Sequence, residues 1–192
     1  MMRINTILYD SIANGPGKRN VLWMQGCDTH CKGCMNKELW DWEGGREEYI
    51  VDIAEQLLSN DPEGITISGG EPLSQPGSLD GLLKALRKAK PNLSIILFTG
   101  YEGSYLEYCK ENFSIFDNID VAITGPFKED KAEGVIDLRG SSNQHIWFLS
   151  ERHSIEDLMR QTDVEVLIDE TTSITGFPTP NAARAIQENL GA

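Results

Sequence analysis

No stretch of the chain approaches the ~18 uninterrupted apolar residues that a membrane-crossing helix needs, and Met1-Met2-Arg3-Ile4-Asn5-Thr6 lacks the apolar region of a signal peptide. A cytoplasmic protein with no membrane partner is expected. Positive charge is scarce: 17 Lys and Arg stand against 30 Asp and Glu, a net charge of -13. Such a surface repels the phosphate backbone that dominates nucleic-acid affinity, which argues against nucleic acid as substrate or partner. There is no low-complexity tract, no solenoid repeat and no composition break. One domain over residues 1–192 follows, and with 40% hydrophobic residues it is long enough to bury a core. Cysteine is sparse, with four in the chain, yet three of them fall between residues 27 and 34. In a reducing compartment, thiols so close together favour a metal over a disulfide.

Those three, Cys27, Cys31 and Cys34, form the pattern C-x3-C-x2-C directly after the apolar run Val21 to Met24. A loop of this length lets each sulfur turn inward onto one centre. A protein-held iron-sulfur cubane normally takes four thiolates, so three leave one iron open for chemistry. Two other readings stay open on the residues alone. His30 could join the three thiolates in a closed Cys3His zinc site, the mark of a non-catalytic module. Cys109 could be a fourth ligand, although Tyr105-Leu106-Glu107-Tyr108-Cys109-Lys110 reads as helix, where a lone cysteine usually serves as a small buried hydrophobe.

Along the chain, strands are expected at Ile4 to Tyr9, Val21 to Met24, Ile65 to Ile67, Ser94 to Phe98, Val121 to Ile123 and Ile146 to Leu149. Helical spacing marks Arg46 to Ser59, Leu79 to Leu86 and Ser104 to Asn112. The turn Gly15-Pro16-Gly17 resembles a phosphate loop only superficially, because Ile12 and Arg19 stand where glycine and a hydroxyl would be required. Strands alternating with helices predict an α/β fold built from parallel βαβ units. Four strands end in a polar residue followed by glycine, at Gln25-Gly26, Ser68-Gly69, Thr99-Gly100 and Thr124-Gly125. In a parallel barrel such loops share one face, which would bring the cysteines, Gly70, Glu71 and Tyr101 together. A full barrel needs roughly 250 residues, so the expectation is a partial, open (β/α) barrel whose open side admits more than a metabolite. Its core would span about 1–150. The extension, about 151–192, reads as a β-hairpin (strands Val164 to Ile168 and Ser173 to Thr175 around a turn at 169–172) and a helix at Asn181 to Asn189, with no visible chemistry.

The cysteine pattern followed by a strand ending in Ser68-Gly69-Gly70-Glu71-Pro72 resembles the radical S-adenosylmethionine superfamily. Within it the chain is similar to the small activating enzymes of anaerobic (class III) ribonucleotide reductase. The matching residues are Asn14-Gly15-Pro16-Gly17 with Arg19, Gly26-Cys27, Cys31, Gly33-Cys34, Asn36-Lys37 with Trp40, Ser68 to Leu73, Thr99-Gly100-Tyr101, Gly125 with Phe127, and Arg139-Gly140-Ser141-Ser142-Asn143-Gln144. Gly33 replaces the aromatic residue usual in the wider superfamily, Pro126 stands where this branch often has a basic residue, and the chain runs on past the shortest members.

The resemblance implies that Cys27, Cys31 and Cys34 hold a [4Fe-4S] cluster whose fourth iron takes the amine and carboxylate of S-adenosylmethionine. No catalytic side chain beyond cluster and cofactor is implied. Gly69, Gly70, Glu71, Thr99, Asn143 and Gln144 would bind the cofactor, with Glu71 facing its ammonium group, and Arg139 would pair with a carboxylate or with the partner. The implied partner is a glycyl-radical enzyme, the anaerobic ribonucleotide reductase, fed by a low-potential donor such as flavodoxin or ferredoxin. Another glycyl-radical enzyme, or a peptide, is the alternative substrate. Asp10 and Arg19 are expected to pair, and Lys37, Trp40 and Trp42 to pack behind the cysteine loop.

Overall fold

Strands β1 (Met2–Ser11) and β2 (Arg19–Met24) form an antiparallel hairpin around the Gly-Pro-Gly turn, where Gly15 and Gly17 take φ of 138° and 74°. The computed structural model describes residues 1–133, 135–159, 164–168 and 172–190. After the cysteine loop come β3 (Arg46–Glu48), α1 (Ile50–Leu58), β4 (Gly64–Gly69), α2 (Pro76–Ala89), β5 (Ser94–Thr99), α3 (Ser104–Asn112), β6 (Val121–Thr124) and β7 (His145–Phe148). The hairpin β8 (Val164–Ile168) and β9 (Thr172–Gly176) and helix α4 (Pro180–Leu190) follow. Of the turn expected at 169–172, residues 169–171 lie outside the described residues.

Seven strands form one sheet in the order β3-β1-β2-β4-β5-β6-β7, and β8 and β9 form a second. Strands β2, β4, β5 and β6 are mutually parallel, flanked by antiparallel β1 and β3 on one side and β7 on the other. The fold is thus α/β with a large mixed sheet. Period-two alternation sends Leu22, Met24, Ile65, Ile67, Ile95 and Leu97 toward the helices, where Ile53, Leu57, Leu82, Leu86 and Leu106 bury them. Ile96, Val121 and Ile123 point the other way, into a second cluster with Leu138 and Leu158. Burial on both faces explains why β5 reads as a continuous apolar run. Cys109 is fully buried in the first cluster, as a small hydrophobe on α3.

Two expectations are corrected. Residues 46–48 are not helical. Arg46-Glu47-Glu48 has no apolar side chain to give a core, and it pairs as an edge strand with Met2 to Ile4, Arg46 donating to Glu48 and to the Asn5 carbonyl. Nor does Asp10 pair with Arg19, since Asp10 lies 3.3 Å from Lys18 Nζ. Arg19 is wholly buried and donates to Thr66 Oγ1, the Pro16 and Ile65 carbonyls, and Ser94 Oγ and carbonyl, at 2.8–3.3 Å. Burial pushes its guanidinium down to about 9, which leaves it charged at neutral pH.

Candidate metal and cofactor site

Because β2, β4, β5 and β6 run in one direction, their C-terminal ends lie along one edge, with Met24 paired to Gly69 and Thr99 to Thr124. A cavity of about 660 Å³ opens there. Cys27, Cys31 and Cys34 line it together with Gly69, Gly70, Glu71, Thr99, Gly125 and Gln144. The convergence expected of the strand-end loops is therefore observed, with one exception. Tyr101 turns away, its ring 4.4 Å from that of Tyr105 and its hydroxyl 3.1 Å from Ser74 Oγ.

The cysteine loop is anchored by its backbone. Gly26 N donates to the Leu39 carbonyl at 2.8 Å and Cys27 N to the Trp40 carbonyl at 3.2 Å. Gly26 has φ of 92°, and the Trp42 ring occupies the place of a Cβ there. Trp42 Nε1 donates to Asp28 at 3.0 Å, which pins the loop as expected of a packing residue. Gly33 has φ of 78°, a left-handed conformation that an aromatic residue at this position would adopt only under strain. Burial pushes the Cys31 and Cys34 thiols up, and each rises further with the charge of neighbouring cysteines. The Phe127 amide works the other way at Cys31, as do the Asn36 amide and the Trp40 side chain at Cys34.

Among the described residues no three His, Cys, Asp or Glu side chains are gathered closely enough to hold a metal ion, while Cys27, Cys31 and Cys34 line a common cavity. His30 takes φ of 45° and stacks 4.7 Å from the Trp40 ring, and it does not line the cavity.

Glu71, only 1% exposed, is the buried acid of the site. Its Oε1 accepts from Leu73 N at 2.9 Å and Thr99 Oγ1 at 2.6 Å, and its Oε2 from Gly100 N at 2.6 Å. Burial nonetheless pushes its carboxyl up to about 7, so an incoming cation would find a group poised to ionise. Beside it, Thr29 Oγ1 lines the same cavity, buried and without a hydrogen-bond partner. An orphaned hydroxyl next to a buried acid fits a polar ligand that satisfies both. Sequence reasoning missed Thr29, since a threonine between cysteines carries no signal of its own.

Gly69 and Gly70 line the cavity, but their lack of a side chain serves the protein first. A Cβ on Gly69 would strike the Met24 backbone and one on Gly70 the Gly26 carbonyl, because Gly70 N and Glu71 N bond back to Met24 and Gly26 at 2.8 Å. Gly70→Ala should therefore cost about 1–3 kcal/mol by overpacking, measured as a lower urea midpoint of the cluster-free protein. An unchanged midpoint would contradict this.

Gln144 is fully engaged in loop building: Oε1 accepts from Gly140 N and Ser141 N, and Nε2 donates to the Gly125 carbonyl at 2.8 Å. Asn143 does not line the cavity. Its Nδ2 donates to the Pro126 carbonyl at 2.9 Å, while its Oδ1 is buried with no partner. Arg139 reaches the wall but forks onto Asp137 at 2.8–3.1 Å. The C-terminal segment, which reads without visible chemistry, reaches the site, for Gly176, Phe177, Pro178, Thr179 and Arg184 line the same cavity. Only the fold brings them there, which is why no motif announced them.

Residues 13–147 match the family described as a 4Fe-4S single cluster domain, which makes the chain an iron-sulfur protein of single-cluster type. The anaerobic ribonucleoside-triphosphate reductase-activating proteins of Haemophilus influenzae and Escherichia coli (strain K12) are 34% and 33% identical to it. Those matches cover 70% and 72% of this chain and 90% and 93% of theirs. The protein of that name from Enterobacteria phage T4 is 29% identical over 76% of this chain and 94% of its own. The chain belongs to the family of anaerobic ribonucleoside-triphosphate reductase-activating proteins.

Proposed function

We infer that the protein is a radical S-adenosylmethionine activase that generates a glycyl radical on anaerobic ribonucleoside-triphosphate reductase. The observation that carries this reading is the placement of Cys27, Cys31, Cys34, buried Glu71 and orphaned Thr29 Oγ1 on one cavity inside the family-matched region. The three cysteines hold the [4Fe-4S] cluster. Glu71 accepts from the amino group of S-adenosylmethionine, a charge-assisted hydrogen bond once the carboxyl is ionised, and Thr99 and the Gly100 amide hold the Glu71 carboxylate in place. Gly69 and Gly70 let that loop close onto the cysteine loop. Gln144 shapes the wall for the ribose or carboxylate end by fixing the Gly125 and Gly140 backbones, and Asn143 Oδ1 lies behind it. When bound, the reduced cluster supplies the electron that cleaves the sulfonium, and the protein binds and positions.

The mixed sheet is read as a partial, open barrel with its core at about 1–150 and an extension at about 151–192, together one domain. The partner's target glycine enters the open side as a backbone loop, and a low-potential flavodoxin or ferredoxin is the electron donor. Among the described residues no helix is long and apolar enough to cross a membrane, and the cytoplasm is the proposed compartment. Anaerobically reconstituted protein should bind about four irons and four sulfides per chain and, once reduced, convert S-adenosylmethionine to methionine and 5'-deoxyadenosine. Stoichiometric zinc without iron would sink this reading.

A further inference from the structure

The cavity has a wall that the shared family region does not supply. The family match ends at residue 147, and the two bacterial relatives leave more than a quarter of this chain unmatched while being 90% and 93% covered themselves. Yet Phe177, Pro178 and Arg184, from beyond that region, line the cavity with the cysteines. The hairpin docks onto the N-terminal turn, with Ser11 Oγ donating to Glu165 Oε2 at 2.7 Å and Asn14 Nδ2 to Thr175 Oγ1 at 2.8 Å. Gly176, with φ of 114°, then turns the chain so that the Phe177 ring sits 5.8 Å from Phe98, at the end of β5 on the face away from the helices.

Cluster and cofactor chemistry is common to the family, so a wall added outside the shared region acts on what differs between members. That is the polypeptide presented to the cavity. Charge points to its character. The chain carries 17 basic against 30 acidic residues, but the cavity reverses this with Lys32, Lys37, Arg139 and Arg184 against Glu71 and Glu129. Arg139 is already taken by Asp137, whereas Arg184 stands exposed on α4 at the cavity wall.

We propose that Phe177 and Arg184 form a specificity wall for the reductase polypeptide, Phe177 taking an apolar side chain and Arg184 an acidic one beside the target glycine. The proposal rests on the activase reading and adds the residues that choose the partner. It is tested in the full-length, cluster-loaded protein with Phe177→Ala and Arg184→Glu. Affinity for the cognate reductase is measured under anaerobic conditions, and S-adenosylmethionine affinity by equilibrium dialysis. Each variant should weaken reductase binding by at least about tenfold and leave S-adenosylmethionine affinity unchanged. The wild-type advantage over Arg184→Glu should shrink as salt is raised, because an exposed charge pair is screened. Unchanged reductase binding by the Arg184→Glu protein, whose exposed substitution spares the fold, overturns the proposal. A parallel loss of S-adenosylmethionine affinity also overturns it, since the wall would then belong to the cofactor. Wild-type protein that binds reductase but cleaves no S-adenosylmethionine would instead bring down the activase reading, and this proposal with it.

Discussion

Alanine at Cys27, Cys31 or Cys34 is expected to reduce bound iron from about four per chain to near zero and to abolish S-adenosylmethionine cleavage, whereas Cys109→Ala keeps both. The three thiols line one cavity, and in the proposed site each would be the sole protein ligand of its iron. His30, the alternative ligand in the cysteine loop, packs against Trp40 and does not line the cavity. Burial pushes the Cys31 and Cys34 thiols up, so the cluster must displace their protons as it binds, and two thiolates do not repeat that gain. Cys109 is fully buried in the helix-side core on α3 and meets no part of the cavity. Iron content and visible absorbance after anaerobic reconstitution check both halves, and cluster loss in Cys109→Ala would show that the ligand set is different.

Glu71→Ala should keep the cluster and weaken S-adenosylmethionine binding roughly ten- to a hundredfold. A charge-assisted hydrogen bond from the ligand's amino group to a buried carboxylate contributes ~1.5–3 kcal/mol, which converts to that range. The pH dependence follows from the carboxyl being pushed up to about 7 by burial. Below that pH Glu71 holds its proton and is neutral, so the attraction is lost. Above it the carboxylate is charged. Affinity should therefore rise between about pH 6 and pH 8 in the wild type and stay flat in Glu71→Gln. Equilibrium dialysis across that range would refute the assignment if the wild-type profile were flat as well.

Much of this architecture is legible in the sequence. Apolar periodicity marked α3 at Ser104–Asn112, and β-branched runs marked the parallel strands, because those elements bury regular faces. The cysteine spacing and the Gly-Gly-Glu strand end marked the site because its chemistry demands those residue types close together. What escaped depends on long-range partners. Arg19 is expected from the sequence to pair with Asp10, yet acceptors from Pro16, Ile65, Thr66 and Ser94 make its full burial possible without it. Arg46 to Glu48 read as a first helical turn until its pairing with β1 decided otherwise. Tyr101 follows a strand-end glycine, but its ring packs beside Tyr105 against the helix-side core. The wall at Phe177 and Arg184 lies more than a hundred residues from the cysteines it faces, and no local pattern carries that information.

The central claim, that this protein places a radical on a glycine of the reductase, is tested most directly by a label. Reduced, cluster-loaded protein is mixed with S-adenosylmethionine and cognate reductase whose glycines are deuterated at Cα. The account predicts a persistent electron paramagnetic resonance doublet on the reductase and deuterium in the 5'-deoxyadenosine formed. Robust cofactor cleavage with neither doublet nor deuterium transfer would contradict it and put a different polypeptide substrate in the reductase's place.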